Sequence, residues 1–260
     1  MPDRQDSYFS TSLEKGLAIL SHFDQDHPSR TLSELTKMTG INKTSVYRFV
    51  NTFVTLGYLR KNANSSVLHL GPKSYILGHR LLHGFVILQS VKPIIDKTFL
   101  EHRVSIDCAI LHGQSLISLY RREAENLISL RLPLVMTDLH ARAMGKAVLA
   151  NMSPKDLSGF LQNLELEPIT SNTITNVESL REELALCVAR GYSINNEEYV
   201  KGLVCIGAPV TNYKTNKVAG AVSLDFPTSD FTLEQIEKSY TGILTKLANE
   251  LSGIFTVVDV

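Results

Sequence analysis

TLSELTKMTGINKTSVYRFVNTFVTLGY, residues 31–58, contains two helix starts and two helix stops. Thr31 can cap a helix over Leu32–Thr39. Glu34, three residues on, completes a capping box, in which each of the two side chains bonds the other residue's backbone N–H. Leu32, Leu35 and Met38 give that helix an apolar side. Gly40 can take the left-handed conformation that ends a helix. Asn42 then caps a second helix over Lys43–Leu56, closed by Gly57. Val46, Phe49, Val50, Phe53 and Val54 recur at spacings of three and four and turn inward. Lys43, Thr44, Ser45, Tyr47, Arg48 and Asn51 are left on the other faces. These side chains hydrogen-bond phosphates and base edges, and they stand where a helix-turn-helix meets the major groove. A plain helical hairpin with a solvated polar face would share the pattern, so the flanking residues have to separate the two.

They favour the DNA-binding reading. Ser12 predicts a cap for a helix from Leu13 to Phe23, with Leu13, Leu17, Ile19, Leu20 and Phe23 as its apolar positions. Tyr58–Lys61 reads as a strand, residues 62–66 (NANSS) as a turn, and Val67–Leu70 as the returning strand. A hairpin directly after a helix-turn-helix is a wing, and Arg60, Lys61 and His69 would lie near the DNA backbone, giving affinity without sequence information. The charge distribution agrees. The whole chain is neutral, but residues 1–80 hold ten Lys and Arg against six Asp and Glu, and residues 81–260 hold sixteen against twenty. A basic end balanced by an acidic remainder assigns phosphate contact to the first part.

Composition sets the wider frame. A chain of 260 residues suits one large domain or two ordinary ones. Cys108, Cys187 and Cys205 show no metal-type spacing and predict a reduced cytoplasm. Residues 1–10 do not read as a signal peptide, and no apolar run approaches membrane-spanning length. The organisation expected is a DNA-binding domain over residues 1–71, a linker helix within residues 72–90 and a third part over residues 91–260. Tyr75, Ile76, Leu77, Leu81, Leu82 and Phe85 make the linker helix, Lys73–Leu88, more apolar than a small wing domain needs, which points to packing on a second chain or on the chain's own second domain.

From Val91 the pattern changes. Val91–His102 is a short helix, and Ser105–Leu111 and Ser115–Tyr120 are strands joined by His112-Gly113-Gln114. Leu127–Leu132 is a further candidate strand. Helices follow at Ala141–Asn151, Pro154–Leu164 and Val177–Arg190, then strands at Tyr192–Val200, Leu203–Thr211 and Val218–Asp225 and a closing helix at Leu233–Phe255. The prediction is an α+β chain whose second domain pairs a mostly antiparallel sheet with helices.

Several blocks now resemble the IclR family of bacterial transcription regulators over nearly the whole length. They are LEKGLAIL (13–20), KTSVYRFVNTFVTLGYL (43–59), HARAMGKAVLA (140–150), GYSINNEEYVKGLVCIGAPV (191–210) and AGAVSLDFPT (219–228). GLVCIGAPV and SLDFP are most similar to the branch that includes KdgR, the regulator of ketodeoxygluconate and pectin catabolism. The resemblance implies a winged helix-turn-helix, a linker helix and a GAF-like α/β effector domain. It also implies dimers or tetramers on palindromic DNA operators, switched by a small catabolic organic acid. One departure is Asp138-Leu139-His140, where the family commonly has Pro-Leu-His. Leu132-Pro133-Leu134 upstream could be matched only with a five-residue insertion, so the gapless alignment on Leu139-His140 is preferred.

Carried over by position, the DNA contacts are Thr31, Lys43, Thr44, Ser45, Tyr47, Arg48, Asn51, Arg60 and Lys61. The implied effector pocket is Ser129, Thr137, Ala143, Met144, Asn195, Cys205, Ser223 and Asp225. The amides at the start of the Gly-Lys helix suit a carboxylate, because orphan N–H groups and the helix dipole both favour an anion. Asp225 stands where a small residue is usual, and a carboxylate repels an anionic ligand unless it is protonated or paired. Either it faces away or the ligand brings hydroxyls or a positive group, as a sugar acid with a remote hydroxyl would. Two rival readings remain: a regulator of aromatic-acid catabolism, and a DNA-binding oligomer indifferent to metabolites. An enzyme is disfavoured, since the chain offers no nucleophile elbow, phosphate loop or His/Cys metal set, and no catalytic residue, metal or cofactor is expected.

Overall fold

The computed structural model describes residues 8–62, 65–125, 133–162 and 165–258. It divides into two compact units, Met1–Gly84 and Phe85–Val260.

In the first unit, α1 spans Thr11–Leu20. Its cap is Ser10, whose side chain accepts from the Leu13 N–H, and not Ser12, because that earlier serine already satisfies an orphan donor of the first turn. The helix stops at Leu20, short of Phe23, yet Phe23 is still buried. Strand β1, Ser29–Thr31, leads into α2, Leu32–Thr39. Thr31 and Glu34 form both bonds of the capping box, and Gly40 ends α2 at φ 67°. Helix α3, Lys43–Leu56, starts with Asn42 accepting from the Ser45 N–H and ends at Gly57, φ 82°. Strands β2, Leu59–Lys61, and β3, Val67–Leu70, form the wing, with sheet order β1-β3-β2. Strand β1 has no apolar alternation; its backbone pairing with β3 leaves no mark in Ser-Arg-Thr. Ile19, Leu35, Val46, Val50, Leu59 and Leu68 close the core. Leu13 and Leu17, expected on the inner side of the first helix, are instead 63% and 55% exposed.

The single helix expected over Lys73–Leu88 is broken. Helix α4 spans Pro72–Gly84, and α5 spans Val86–His102. Phe85 between them has ψ 88°, outside the helical range. Gly84, with its low helix propensity, is where the break costs least. Tyr75, Ile76, Leu77, Leu81 and Leu82 are all exposed.

The second unit is built on a six-stranded antiparallel sheet of order β6-β5-β4-β9-β8-β7. Its strands are β4, Ser105–His112; β5, Ser115–Arg122; β6, Val135–Met136; β7, Ser193–Asn196; β8, Leu203–Asn212; and β9, Lys217–Pro227. The strand expected over Tyr192–Val200 is shorter because Glu197 takes φ 57° and turns the chain. Leu127–Leu132 lies outside the described residues.

Strand alternation splits the sheet into two faces. Ile106, Cys108, Ile206, Ala208, Val222, Leu224 and Phe226 pack with α5 and with α9, Leu233–Val258. Ala109 and Ala221, on the opposite face, pack with residues of α6, Ala143–Ala150; α7, Pro154–Gln162; and α8, Val177–Arg190. A 3-10 turn, Leu139–Ala141, precedes α6 in place of the helical start expected at Ala141. Gly145 makes that approach possible, since a Cβ there would lie within 2.1 Å of the Leu139 carbonyl oxygen. The chain is therefore α+β, with a helical winged unit followed by a sheet covered on both faces.

Candidate functional site

Helix α3 displays the polar face read from the sequence. Val46 and Val50 are buried, while Lys43, Thr44, Tyr47, Arg48 and Asn51 are exposed and Ser45 is half-buried. Arg60 and Lys61 are exposed on β2. Thr31 has a different job from the others. Its hydroxyl donates to Glu34 Oε2 at 2.9 Å and accepts from the Glu34 N–H at 3.3 Å, so its donor is committed to the capping box.

The second candidate site lies where α6 meets the sheet. Helix α6 begins over β8, and Gly207 permits the contact: a Cβ there would sit 2.7 Å from the Ala143 carbonyl carbon. No side chain caps α6, because Arg142 at the cap position carries only donors and cannot accept from the helix N–H groups. Its guanidinium is 2.7 Å from Asp138 and stacks 3.6 Å from the Tyr199 ring centre. Under the helix start is a cavity of about 30 Å³, lined by Asp107, Arg142, Ala143, Met144, Asn195, Tyr199, Leu203, Cys205, Ser223 and Asp225.

The floor of the cavity is charged. Arg121 Nη1 lies 3.0 Å from Asp225 and 3.4 Å from Asp107, and Arg121 Nε bonds Glu123 at 2.9 Å. Ser223 donates to Asp225 at 3.0 Å, and Ser118 donates to Asp107 at 3.1 Å. Burial is the main force on Asp107; it outweighs Arg121, and with the Asp225 charge it pushes the Asp107 carboxyl up to about 7. Burial and the adjacent Asp225 also hold the Cys205 thiol well above its usual range, so it is a protonated thiol and not a nucleophilic thiolate. The walls are locked by hydrogen bonds. The Asn195 amide donates to the Ala141 carbonyl and accepts from the Glu198 N–H, and Ser193 donates to the Ala143 carbonyl.

Among the described residues, no group of three His, Cys, Asp or Glu side chains is placed to hold a metal, and no helix is long and apolar enough to cross a membrane.

Two family models match the chain. The IclR helix-turn-helix domain covers residues 12–63, and the bacterial transcriptional regulator IclR C-terminal region covers residues 79–253. This chain belongs to the IclR family of bacterial transcription regulators. The regulator KdgR of Escherichia coli K12 is 30% identical over 228 residues, covering 85% of this chain and 84% of that one. The crystal structure of the Thermotoga maritima IclR superposes with a TM-score of 0.72 at 26% identity, covering 94% of this chain and 98% of that one. An IclR homologue from Microbacterium hydrocarbonoxydans, crystallised with 4-hydroxybenzoate, shares the fold with a TM-score of 0.76 at 21% identity, covering 95% and 100%. The family consists of transcription regulators, not enzymes.

Of the effector residues expected from the IclR resemblance, the structure brings Ala143, Met144, Asn195, Cys205, Ser223 and Asp225 around one cavity. Thr137 does not join them. It follows β6 at the sheet edge and lines a separate cavity of about 390 Å³ with Asp138, His140 and Glu167, whereas α6 starts over the inner strand β8. Ser129 lies outside the described residues. Asp107, Arg121, Arg142 and Tyr199 were not singled out from the sequence. Asp107 had left a signal, as an ionisable residue inside the apolar run Ser105–Leu111. Arg121 had left none, since at a strand end it reads as solvated. It pairs with Asp225, so the partner of that carboxylate comes from the protein itself.

Proposed function

We propose that this chain is a one-component regulator of the cytoplasm. Helix α3 and the wing dock on a palindromic operator as part of a homodimer or homotetramer, and a small organic acid in the cavity under α6 switches the complex. Lys43, Thr44, Ser45, Tyr47, Arg48 and Asn51 face the groove, with Arg60 and Lys61 on the backbone, and Thr31 orients α2. Residues 1–71 form the DNA-binding domain, residues 72–90 the linker and residues 91–260 the effector domain. The exposed apolar side chains of α4 are the surface on which two chains meet.

The observation that carries this reading is the cavity itself: an uncapped helix start above a hydrogen-bonding floor of Ser223, Asn195 and Asp225. The amides of Ala143 and Met144 suit a carboxylate, and the floor suits hydroxyls, which favours a sugar acid. The experiment is to select bound duplexes from fragmented genomic DNA and then measure gel shifts with and without sugar acids, keto acids and aromatic acids. A complex that forms or dissociates with one of these acids supports the reading. Complexes indifferent to every acid would leave a ligand-independent DNA-binding oligomer. The aromatic arm is included because the Microbacterium hydrocarbonoxydans homologue was crystallised with 4-hydroxybenzoate.

A further inference from the structure

The two ends of the cavity have opposite polarity. At the top is the start of α6, with no side-chain cap and the positive end of its dipole exposed to the cavity. At the bottom, Asp107 and Asp225 both line the space, at 0% and 5% exposure. One guanidinium serves both of them, and that same Arg121 also holds Glu123. Glu123 is 44% exposed and lies outside the cavity lining, so the buried floor sets two carboxylates, Asp107 and Asp225, against one cation, and Asp107, pushed up to about 7, is ionised there only in part. The other cation at the cavity, Arg142, is committed to Asp138 and stacked on Tyr199, so it does not neutralise the floor. Buried charge without a partner is costly, and the floor relieves it either by holding a proton on Asp107 or by taking up a group of opposite sign. A neutral hydroxyl can hydrogen-bond these carboxylates but leaves the charge in place, and a second carboxylate at this end would add to it.

Building on the reading of this cavity as the effector site, we propose that its effector is a zwitterion, an amino acid or amino-sugar acid whose carboxylate meets the start of α6 and whose protonated amine sits between Asp107 and Asp225. Each of these carboxylates has acceptor sites beyond the bonds it makes to Arg121 and to its serine, and an ammonium group supplies three donors. Asp225 is then the specificity-determining residue. With a small residue in its place, Arg121 would balance Asp107 and the floor would no longer demand a cation.

The test uses acids in matched pairs that differ only in an amine for a hydroxyl: glycine and glycolate, alanine and lactate, 4-aminobutyrate and 4-hydroxybutyrate, glucosaminate and gluconate. Thermal shift on the full-length protein finds the pair that binds, and calorimetry compares its members. The amine member should bind at least about tenfold more tightly, a difference of about 1.4 kcal/mol. In Asp225→Ser the preference should vanish or reverse while the variant keeps a cooperative melting transition. Asp225→Asn, closer in shape, should do the same if Ser fails to fold. Equal or tighter binding of the hydroxyl member by the wild type overturns the proposal, as does no shift from any pair. A parallel arm with pyruvate and 4-hydroxybenzoate separates the two levels of failure. If one of these binds, the zwitterion falls and the organic-acid reading stands; if nothing binds, both fall.

Discussion

Lys146 Nζ, on α6, lies 2.6 Å from Glu198 Oε1, and both side chains are buried at the back of the cavity. Glu198 donates its backbone N–H to Asn195, and the Asn195 amide in turn holds the Ala141 carbonyl, so the ion pair closes a ring of contacts behind the helix start. The pair is not self-sufficient. Glu198 Oε2 is buried without a hydrogen-bond partner, and burial, only partly offset by Lys146, raises the Glu198 carboxyl. Lys146 also lies 3.5 Å from Glu183, which holds Arg190 at 2.9 Å. Removing Lys146 leaves an uncompensated buried carboxylate, so Lys146→Met should cost about 3–5 kcal/mol. Adding Glu198→Gln should recover part of that loss. Urea unfolding of the single and double variants checks this; a double variant no more stable than Lys146→Met would show that the pair is not coupled.

Gly207 should not tolerate a side chain. A Cβ there would sit 2.7 Å from the Ala143 carbonyl carbon and 2.9 Å from the Met144 nitrogen, both backbone atoms that cannot move aside singly. Gly207→Ala must push the start of α6 off β8, at a cost of about 1–3 kcal/mol for overpacking. Since the Ala143 and Met144 amides move with it, effector binding should weaken more than stability does. The two effects can be compared by melting the variant with and without the best-binding acid. An unchanged ligand-induced shift would mean that α6 is not held in place by this contact.

Asp107 should make stability depend on pH in an unusual direction. Its folded carboxyl titrates near 7, against an ordinary value of 3.8. Between those values the folded state binds a proton that the unfolded state does not, so the contribution is fully present below about pH 4 and is lost as pH rises through 7. The cause is burial, which outweighs the attraction of Arg121 at 3.4 Å. Asp107→Asn removes the titration but keeps the shape, so the variant should gain on the wild type between pH 5 and pH 8 by on the order of 3 kcal/mol. A gap that stays constant across that range would show Asp107 to be charged throughout.

What was legible in the sequence, and what was not, follows from the range of the forces involved. The capping box, the Asn42 cap and the two glycine stops are written within four residues of where they act, and α2 and α3 came out with their read boundaries. Strand β1 and the break at Phe85 were not read, because the first is fixed by backbone pairing with a distant strand, from Ser29 with His69 to Thr31 with Val67, and the second is marked only by Gly84, a lone glycine of the kind a helix tolerates. In the cavity, residues on recognisable motif blocks were placed together, whereas Arg121 reaches Asp225 from 104 residues away. An ion pair that spans three neighbouring strands has no local pattern; only the oddness of Asp225 itself hinted that something had to balance it.

Thr31 and Arg48 should separate folding from recognition in the first unit. Thr31→Ala removes the hydroxyl's bonds to the Glu34 N–H and carboxylate but keeps the bond from the Thr31 N–H to Glu34, so it should cost about 1 kcal/mol of stability. It should leave the salt dependence of DNA binding unchanged, because the hydroxyl donor is spent on Glu34. Arg48 is exposed on α3, and its loss should leave the melting temperature near that of the wild type. If it reads a base edge, Arg48→Ala costs about 1–3 kcal/mol at one operator position and relaxes the choice of base there. Lys43, at the first position of α3, should behave differently, with Lys43→Ala weakening all duplexes alike and lowering the salt slope by about one. Binding isotherms on a set of operator variants at several salt concentrations distinguish the two. Should Arg48→Ala instead give the uniform loss and shallower slope expected of Lys43, Arg48 is a phosphate contact, and sequence reading passes to Thr44, Tyr47 and Asn51.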